Sequence, residues 1–207
     1  KKIMTRRETN MTMEEFNTFC DALLNYNVGD KKCRYRNMSI WYGLQIMLYT
    51  GLRPQEAFAL SRDDIDMENR TISVRKRVGS TREAIRMLIP PKTEESAATI
   101  PYPDALDQIL EQCMAWSTTD PLLCDYDGLP FEIDELSHYI HRVSEKLPFN
   151  FTMYKLRHFF STTLFSQAAN PKVIQKLMRH KSANMSLYYA DASEEEMRDT
   201  VNHRKLS

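Results

Sequence analysis

Apolar residues in this chain recur with a helical period at both ends and with a period of two in the middle. That switch confines the fold to a helical body carrying one small sheet. Phe16, Phe19, Leu23 and Leu24 share one helix face, as do Ile40, Leu44, Met47 and Leu48. After Asp63-Asp64-Ile65-Asp66, Ile72, Val74 and Val78 alternate with polar residues. A Gly79-Ser80 turn follows, then Ile85, Met87 and Ile89 alternate, and Ala98-Thr99-Ile100 reads as a third short strand. The helical period returns in Leu106, Ile109, Leu110 and Cys113, then in Leu136, Tyr139, Ile140, Val143 and Leu147. It ends with Leu156, Phe160, Thr163 and Leu164 and with Val173, Ile174 and Leu177. The expected class is α+β, mainly helical with a small three-stranded antiparallel sheet.

Helix punctuation agrees with this division. Thr12-Met13-Glu14-Glu15 has the form of a capping box. Gly51 suits a left-handed helix end, Pro54 the first turn of the next helix, and Asn170-Pro171 a cap followed by a start. Lys31, Lys32, Arg34 and Arg36 read as an exposed basic linker, with Ser39 capping the helix after it, and Asp134 can start another. The segment 193–207 is acidic at first, and its apolar content is only Met197, Val201 and Leu206, so no strong apolar face is expected there.

The 207 residues can bury a real core. No apolar run approaches the roughly 18 residues of a membrane span and no signal-peptide layout is present, so a soluble intracellular protein is expected. The chain begins with Lys, which suggests an excised piece of something longer. Cys20, Cys33, Cys113 and Cys124 form no metal-ligand spacing, so reduced, mostly packed thiols are expected. The formal net charge is zero, but it is segregated. Seven Lys/Arg face one acid between Arg70 and Lys92, and eight face one between Leu136 and Lys181. Nine Asp/Glu and no Lys or Arg lie between Asp104 and Glu135. Such patterning can form a basic face for a polyanion, or it can be ordinary solvated surface.

The stretch from Phe151 to Ala190 places Arg157 near the start of one amphipathic helix, His180 just past a second and Tyr189 in a third. A guanidinium, an imidazole and a phenol so arranged suit a phosphate rather than a metal. Arg53 sits at a helix junction beside free backbone amides, where an anion is favoured. The bland alternative is a surface arginine paired with Glu56. Two guanidinium forks, Arg53 and Arg157, can each bind an anion bidentately and stay protonated.

These residues resemble the tyrosine recombinase (phage-type integrase) signature. Thr50-Gly51-Leu52-Arg53-Pro54-Gln55-Glu56 is similar to its first half, and Leu156-Arg157-His158, His180 and a tyrosine nine residues on, Tyr189, to its second. Pro91-Lys92-Thr93-Glu94-Glu95-Ser96 resembles the hairpin in which the family carries a catalytic lysine. The resemblance implies that Tyr189 attacks a DNA phosphodiester to give a 3′-phosphotyrosyl enzyme and a free 5′-hydroxyl. It further implies that Lys92 is the general acid, His180 donates to phosphate and Glu56 orients its neighbours. Neither ATP nor metal is called for, so no cofactor is expected. Tyr154 stands where the family usually has His, three residues before Arg157, and a phenol there can donate a hydrogen bond but is no acid or base near neutral pH. On this reading Arg75, Lys76, Arg77, Lys155 and Lys181 contact DNA phosphates.

Residues 1–192 would form the catalytic domain, without the family's N-terminal DNA-binding domains, and 193–207 a tail docking in trans within a synaptic tetramer on double-stranded DNA. The setting would be the bacterial cytoplasm, at the nucleoid. A type IB topoisomerase, a non-catalytic DNA-binding relic of the fold and a purely structural helical domain are the alternatives. The last two leave the joint presence of Arg53, Lys92, Arg157, His180 and Tyr189 unexplained.

Overall fold

The computed structural model describes residues 11–81, 83–91, 97–167, 170–179 and 194–204. Helix α1 (Met13–Leu24) starts as its capping box dictates. Thr12 Oγ1 accepts the Glu15 N–H at 3.1 Å, and the Glu15 carboxylate accepts the Thr12 N–H at 2.9 Å. Its face of Phe16, Phe19 and Leu23 is buried, with Phe19 stacked on Phe151 at 3.9 Å between centroids.

Helix α2 (Lys31–Thr50) is the central element, buried on nearly all sides from Asn37 to Thr50. It starts earlier than the sequence suggested. Asp30 is its cap, accepting the Lys32 N–H at 2.8 Å, so Lys31, Lys32, Arg34 and Arg36 form its first turns and are not a linker. Lysine and arginine are good helix formers and follow the cap without strain. Ser39 is therefore no cap; it lies inside the helix, where its hydroxyl donates to the Cys124 carbonyl at 2.9 Å. Gly51 ends α2 in the left-handed conformation, φ 64°. Helix α3 (Pro54–Ala57) follows two residues later.

The strands are β1 (Ile65–Asp66), β2 (Thr71–Val74), β3 (Arg77–Val78), β4 (Leu88–Ile89) and β5 (Ala98–Pro101). The three-stranded antiparallel sheet exists with the order β1-β2-β5, Ile72 facing Ile100. Its membership differs from expectation. Ile85–Ile89 does not join it; β3 and β4 pair as a separate two-stranded ribbon. Arg86 takes φ 57° and breaks the extended run, and Ile85 and Met87 stay exposed, so this segment has no apolar face to add to a sheet.

Helices α4 (Asp107–Trp116), α5 (Ile133–Ser144), α6 (Met153–Ser166), α7 (Pro171–Met178) and α8 (Glu194–Asn202) complete the described structure. Among the described residues no helix is long and apolar enough to cross a membrane. All four cysteines are free thiols, and Cys20, Cys113 and Cys124 are buried.

The apolar interior falls into two clusters. The large one runs from α1 through α2 and the sheet to α5 and the start of α6. The small one joins Phe160 and Leu164 of α6 with Val173, Ile174, Leu177 and Met178 of α7 and Met197 and Val201 of α8. Residues i and i+4 on a helix share a face, so Met197 and Val201 give α8 an apolar stripe that their number alone did not promise. At the end of α8, Asn202 Oδ1 accepts the Asp104 N–H at 3.1 Å, and just beyond it Arg204 Nη2 donates to the Leu48 carbonyl at 2.6 Å, so the helix lies against its own chain.

Candidate active site

The turn between α2 and α3 carries the first half of the site. A Cβ on Gly51 would lie 2.5 Å from the Phe160 ring, and its φ is left-handed, so glycine alone lets α2 turn here while packed on α6. The buried Leu52 anchors the turn. Arg53 then takes an extended conformation as the cap residue of α3. Glu56, one turn on, reaches back: Oε2 accepts the Arg53 N–H at 2.8 Å and Oε1 accepts Arg53 Nη1 at 2.9 Å. The carboxylate is 6% exposed and the Arg53 side chain 34%, so the guanidinium is held at its base and open at its rim.

Helix α6 brings Arg157 to the same place from the other side. It is buried, and both of its terminal nitrogens donate to backbone carbonyls, Nη1 to Gly51 and Nη2 to Met178. These carbonyls belong to the C-terminal ends of α2 and α7, where free oxygens and the helix dipole favour a cation. One guanidinium thus ties the Arg53 turn to the end of α7.

The next residue, Arg179, completes a cluster that the sequence did not reveal. It caps α7 in the left-handed region, φ 50° and ψ 51°, at a cost of about 1–2 kcal/mol for a residue with a Cβ. Its side chain is 1% exposed and Nη2 meets Glu56 Oε2 at 2.5 Å. Three guanidiniums, Arg53, Arg157 and Arg179, therefore surround one carboxylate, an excess of two positive charges (3 − 1).

That excess shows in the protonation equilibria. Burial, then the charges of Arg53 and Arg179, push the Arg157 guanidinium down to about 9. Burial likewise lowers Arg179, which Glu56 partly offsets. Burial would raise Glu56, but the Arg179 charge and the hydrogen bonds from Arg53 prevail and hold it below its ordinary value. A cationic cluster that strains to stay charged gains when an anion arrives.

The other predicted site residues are distributed as follows. Tyr154 lies on the first turn of α6, 60% exposed and three residues from Arg157 on the same helix. Lys155 is beside it, with Nζ on the Asn150 carbonyl at 2.5 Å. Arg75 and Lys76 are not brought to the cluster by any contact; both pair with Asp64, at 2.8 and 3.2 Å, and Arg75 remains 59% exposed. Arg77 opens β3, and its Nε is buried without a partner. Lys92, His180, Lys181 and Tyr189 lie outside the described residues. Among the described residues no group of His, Cys, Asp and Glu could hold a metal ion.

The phage integrase family model matches residues 9–196. The transposase from transposon Tn916 of Enterococcus faecalis is 27% identical over 169 residues, which cover 72% of this chain and 41% of that protein. The putative tyrosine recombinase XerC of Pseudomonas aeruginosa is 24% identical over 197 residues, 89% of this chain and 44% of that one. Among solved structures, the Tn1549 transposon integrase in complex with transposon right end DNA superposes with a TM-score of 0.72 at 23% identity, covering 95% of this chain and 66% of that chain. This last likeness is one of fold. The chain spans less than half the length of these two curated relatives, 41% and 44%.

Proposed function

Since the chain belongs to the phage integrase family, we propose that it is the catalytic part of a site-specific DNA recombinase that cuts and rejoins strands for a phage or a conjugative transposon. The observation that carries this reading is the Arg53–Arg157 pair. Two guanidiniums from opposite halves of the chain converge, held by Glu56 and by helix-end carbonyls, with more positive charge than the described residues neutralise.

In the proposed reaction the Tyr189 oxygen attacks phosphorus in line, the bond to the 5′ oxygen breaks, and Lys92 gives that oxygen its proton. Arg53 and Arg157 hold the non-bridging oxygens, where charge builds in the transition state. His180 donates to the same phosphate, and Tyr154 adds a hydrogen bond from the open edge of α6. The phosphotyrosyl bond conserves the energy of the broken link. A 5′-hydroxyl from a partner duplex then attacks it and releases Tyr189. Arg75, Lys76, Arg77, Lys155 and Lys181 would track the duplex backbone, Arg75 and Lys76 by exchanging Asp64 for phosphate. The setting is a synaptic tetramer at the bacterial nucleoid. Segment 193–207 would dock in trans there, Met197 and Val201 exchanging their own small cluster for that of a neighbour.

The test is trapping on a pool of nicked duplexes randomised around the nick, with denaturing-resistant adducts isolated from the whole protein. Wild type should form adducts, Tyr189→Phe should form none, and Tyr188→Phe should retain them. Adjacent helical residues point about 100° apart, so only one of the two phenols can face the phosphate. Adduct from Tyr189→Phe but not from Tyr188→Phe would move the nucleophile by one residue, and no adduct from wild type would refute the strand-transfer reading.

A further inference from the structure

Building on the proposed strand-transfer reaction, we infer that Arg179 is a positioning residue for it: Arg179 shares Glu56, and so leaves the outer donors of Arg53 free for the scissile phosphate. Glu56 is buried and its two oxygens carry three bonds. Oε1 takes Arg53 Nη1 at 2.9 Å, and Oε2 takes the Arg53 N–H at 2.8 Å and Arg179 Nη2 at 2.5 Å. Without Arg179, one of those oxygens loses its shortest partner, in a place where water barely reaches. A carboxylate so exposed to a single neighbouring guanidinium draws it into a two-pronged pair, since that fork matches a carboxylate as well as it matches a phosphate. Arg53 would then spend on Glu56 the nitrogens that the substrate needs.

Three features separate this role from that of a staple that only holds the fold. Arg179 occupies a left-handed helix end, where glycine would sit without strain. Its Nε is buried without a hydrogen-bond partner, which a residue kept for stability alone would avoid. Its neighbour Met178 supplies the carbonyl that receives Arg157, so the end of α7 addresses both catalytic arginines at once. The link joins residues 123 apart in sequence, and it lies directly before His180.

The test measures single-turnover adduct formation at saturating nicked-duplex pool, alongside affinity for the same pool and thermal unfolding. Arg179→Met should slow adduct formation on the order of 10- to 100-fold, the range that small misplacement of a catalytic group produces. DNA affinity should shift less than about twofold, because Arg179 is not itself a phosphate contact. Arg179→Lys should recover much of the rate. Arg179→Gly relieves the backbone, so it folds even where the Met variant does not, and it should be as slow. Adding Glu56→Gln to Arg179→Met should raise the rate above that of Arg179→Met alone, since the competing carboxylate charge is gone. An Arg179→Gly protein as fast as wild type overturns the inference, and so does a loss of rate that only follows the loss of folded protein. A wild type that forms no adduct overturns both this inference and the function beneath it.

Discussion

Around α1 and α2 the molecule is closed by rings and aliphatic chains: Phe19 on Phe151, Phe16 beside them, and Leu44, Ile46 and Met47 fully buried. Along the seam between α2 and the α7–α8 unit the contacts change character. Among the described residues the buried cations are Arg157, Arg179 and Arg204, and all three sit there. They reach the stretch from Leu48 to Glu56, through the carbonyls of Leu48 and Gly51 and the carboxylate of Glu56. Arg204 also lies over the Phe160 ring at 4.5 Å from its centroid. Apolar burial is strong and nearly indifferent to direction. Buried guanidiniums add little net stability after desolvation but fix geometry closely. The body is thus built to persist, and the seam to place charge.

The contrast between body and seam is largest at a residue of the body. Phe19→Ala removes a fully buried ring from the stack on Phe151 and should cost about 3–5 kcal/mol of stability, measured by denaturant unfolding. Folded Phe19→Ala protein should keep its adduct-forming rate. A seam residue should behave in the opposite way. Arg157→Met removes two directional bonds and a strained charge together, so unfolding should change by no more than roughly 1–2 kcal/mol. Adduct formation on nicked duplexes should nevertheless fall about 10²–10³-fold, as for loss of one donor to transition-state charge. Equal effects of the two substitutions on both measurements would erase the distinction.

Much of the body was legible in the chain because its signals are local. The Thr12 capping box, the left-handed Gly51, Pro54 at a helix start and the Asn170 cap each depend on residues within one turn, and each is found. The errors were also local competitions. Asp30 captured the start of α2 ahead of Ser39, and the left-handed Arg86 overrode the alternation of Ile85, Met87 and Ile89. In the site, Arg53 and Arg157 were readable because each stands in a motif. Arg179 was not, because its partner Glu56 is distant in sequence and no spacing rule links them. One faint signal existed: an arginine two residues after Leu177, the last of the apolar repeat Val173, Ile174 and Leu177, at a helix end where glycine is the default.

The smallest effect separates the two regions by their response to acid. Glu56 titrates below its ordinary carboxylate value in the folded protein, so between the two values the unfolded chain binds more protons than the native one. Stability therefore rises with pH across that window. The contribution of Glu56 is complete above its ordinary value of 4.5 and is lost as pH falls through the lower folded value. Protonation there leaves Arg53 and Arg179 facing each other across a neutral carboxyl, so the seam weakens before the apolar body does. Asp30, Asp66 and Asp125 also titrate low, and the acid limb of the wild type contains their share too. Comparison with Glu56→Gln isolates the seam. The unfolding midpoint of the variant should depend less on pH as it falls below the ordinary value of 4.5, with about 2–4 °C separating the two curves for each kcal/mol at this chain length. Parallel curves for wild type and Glu56→Gln across that range would mean that the three guanidiniums do not depend on this carboxylate, and the seam would then be held by Arg157 and Arg204 through carbonyls alone.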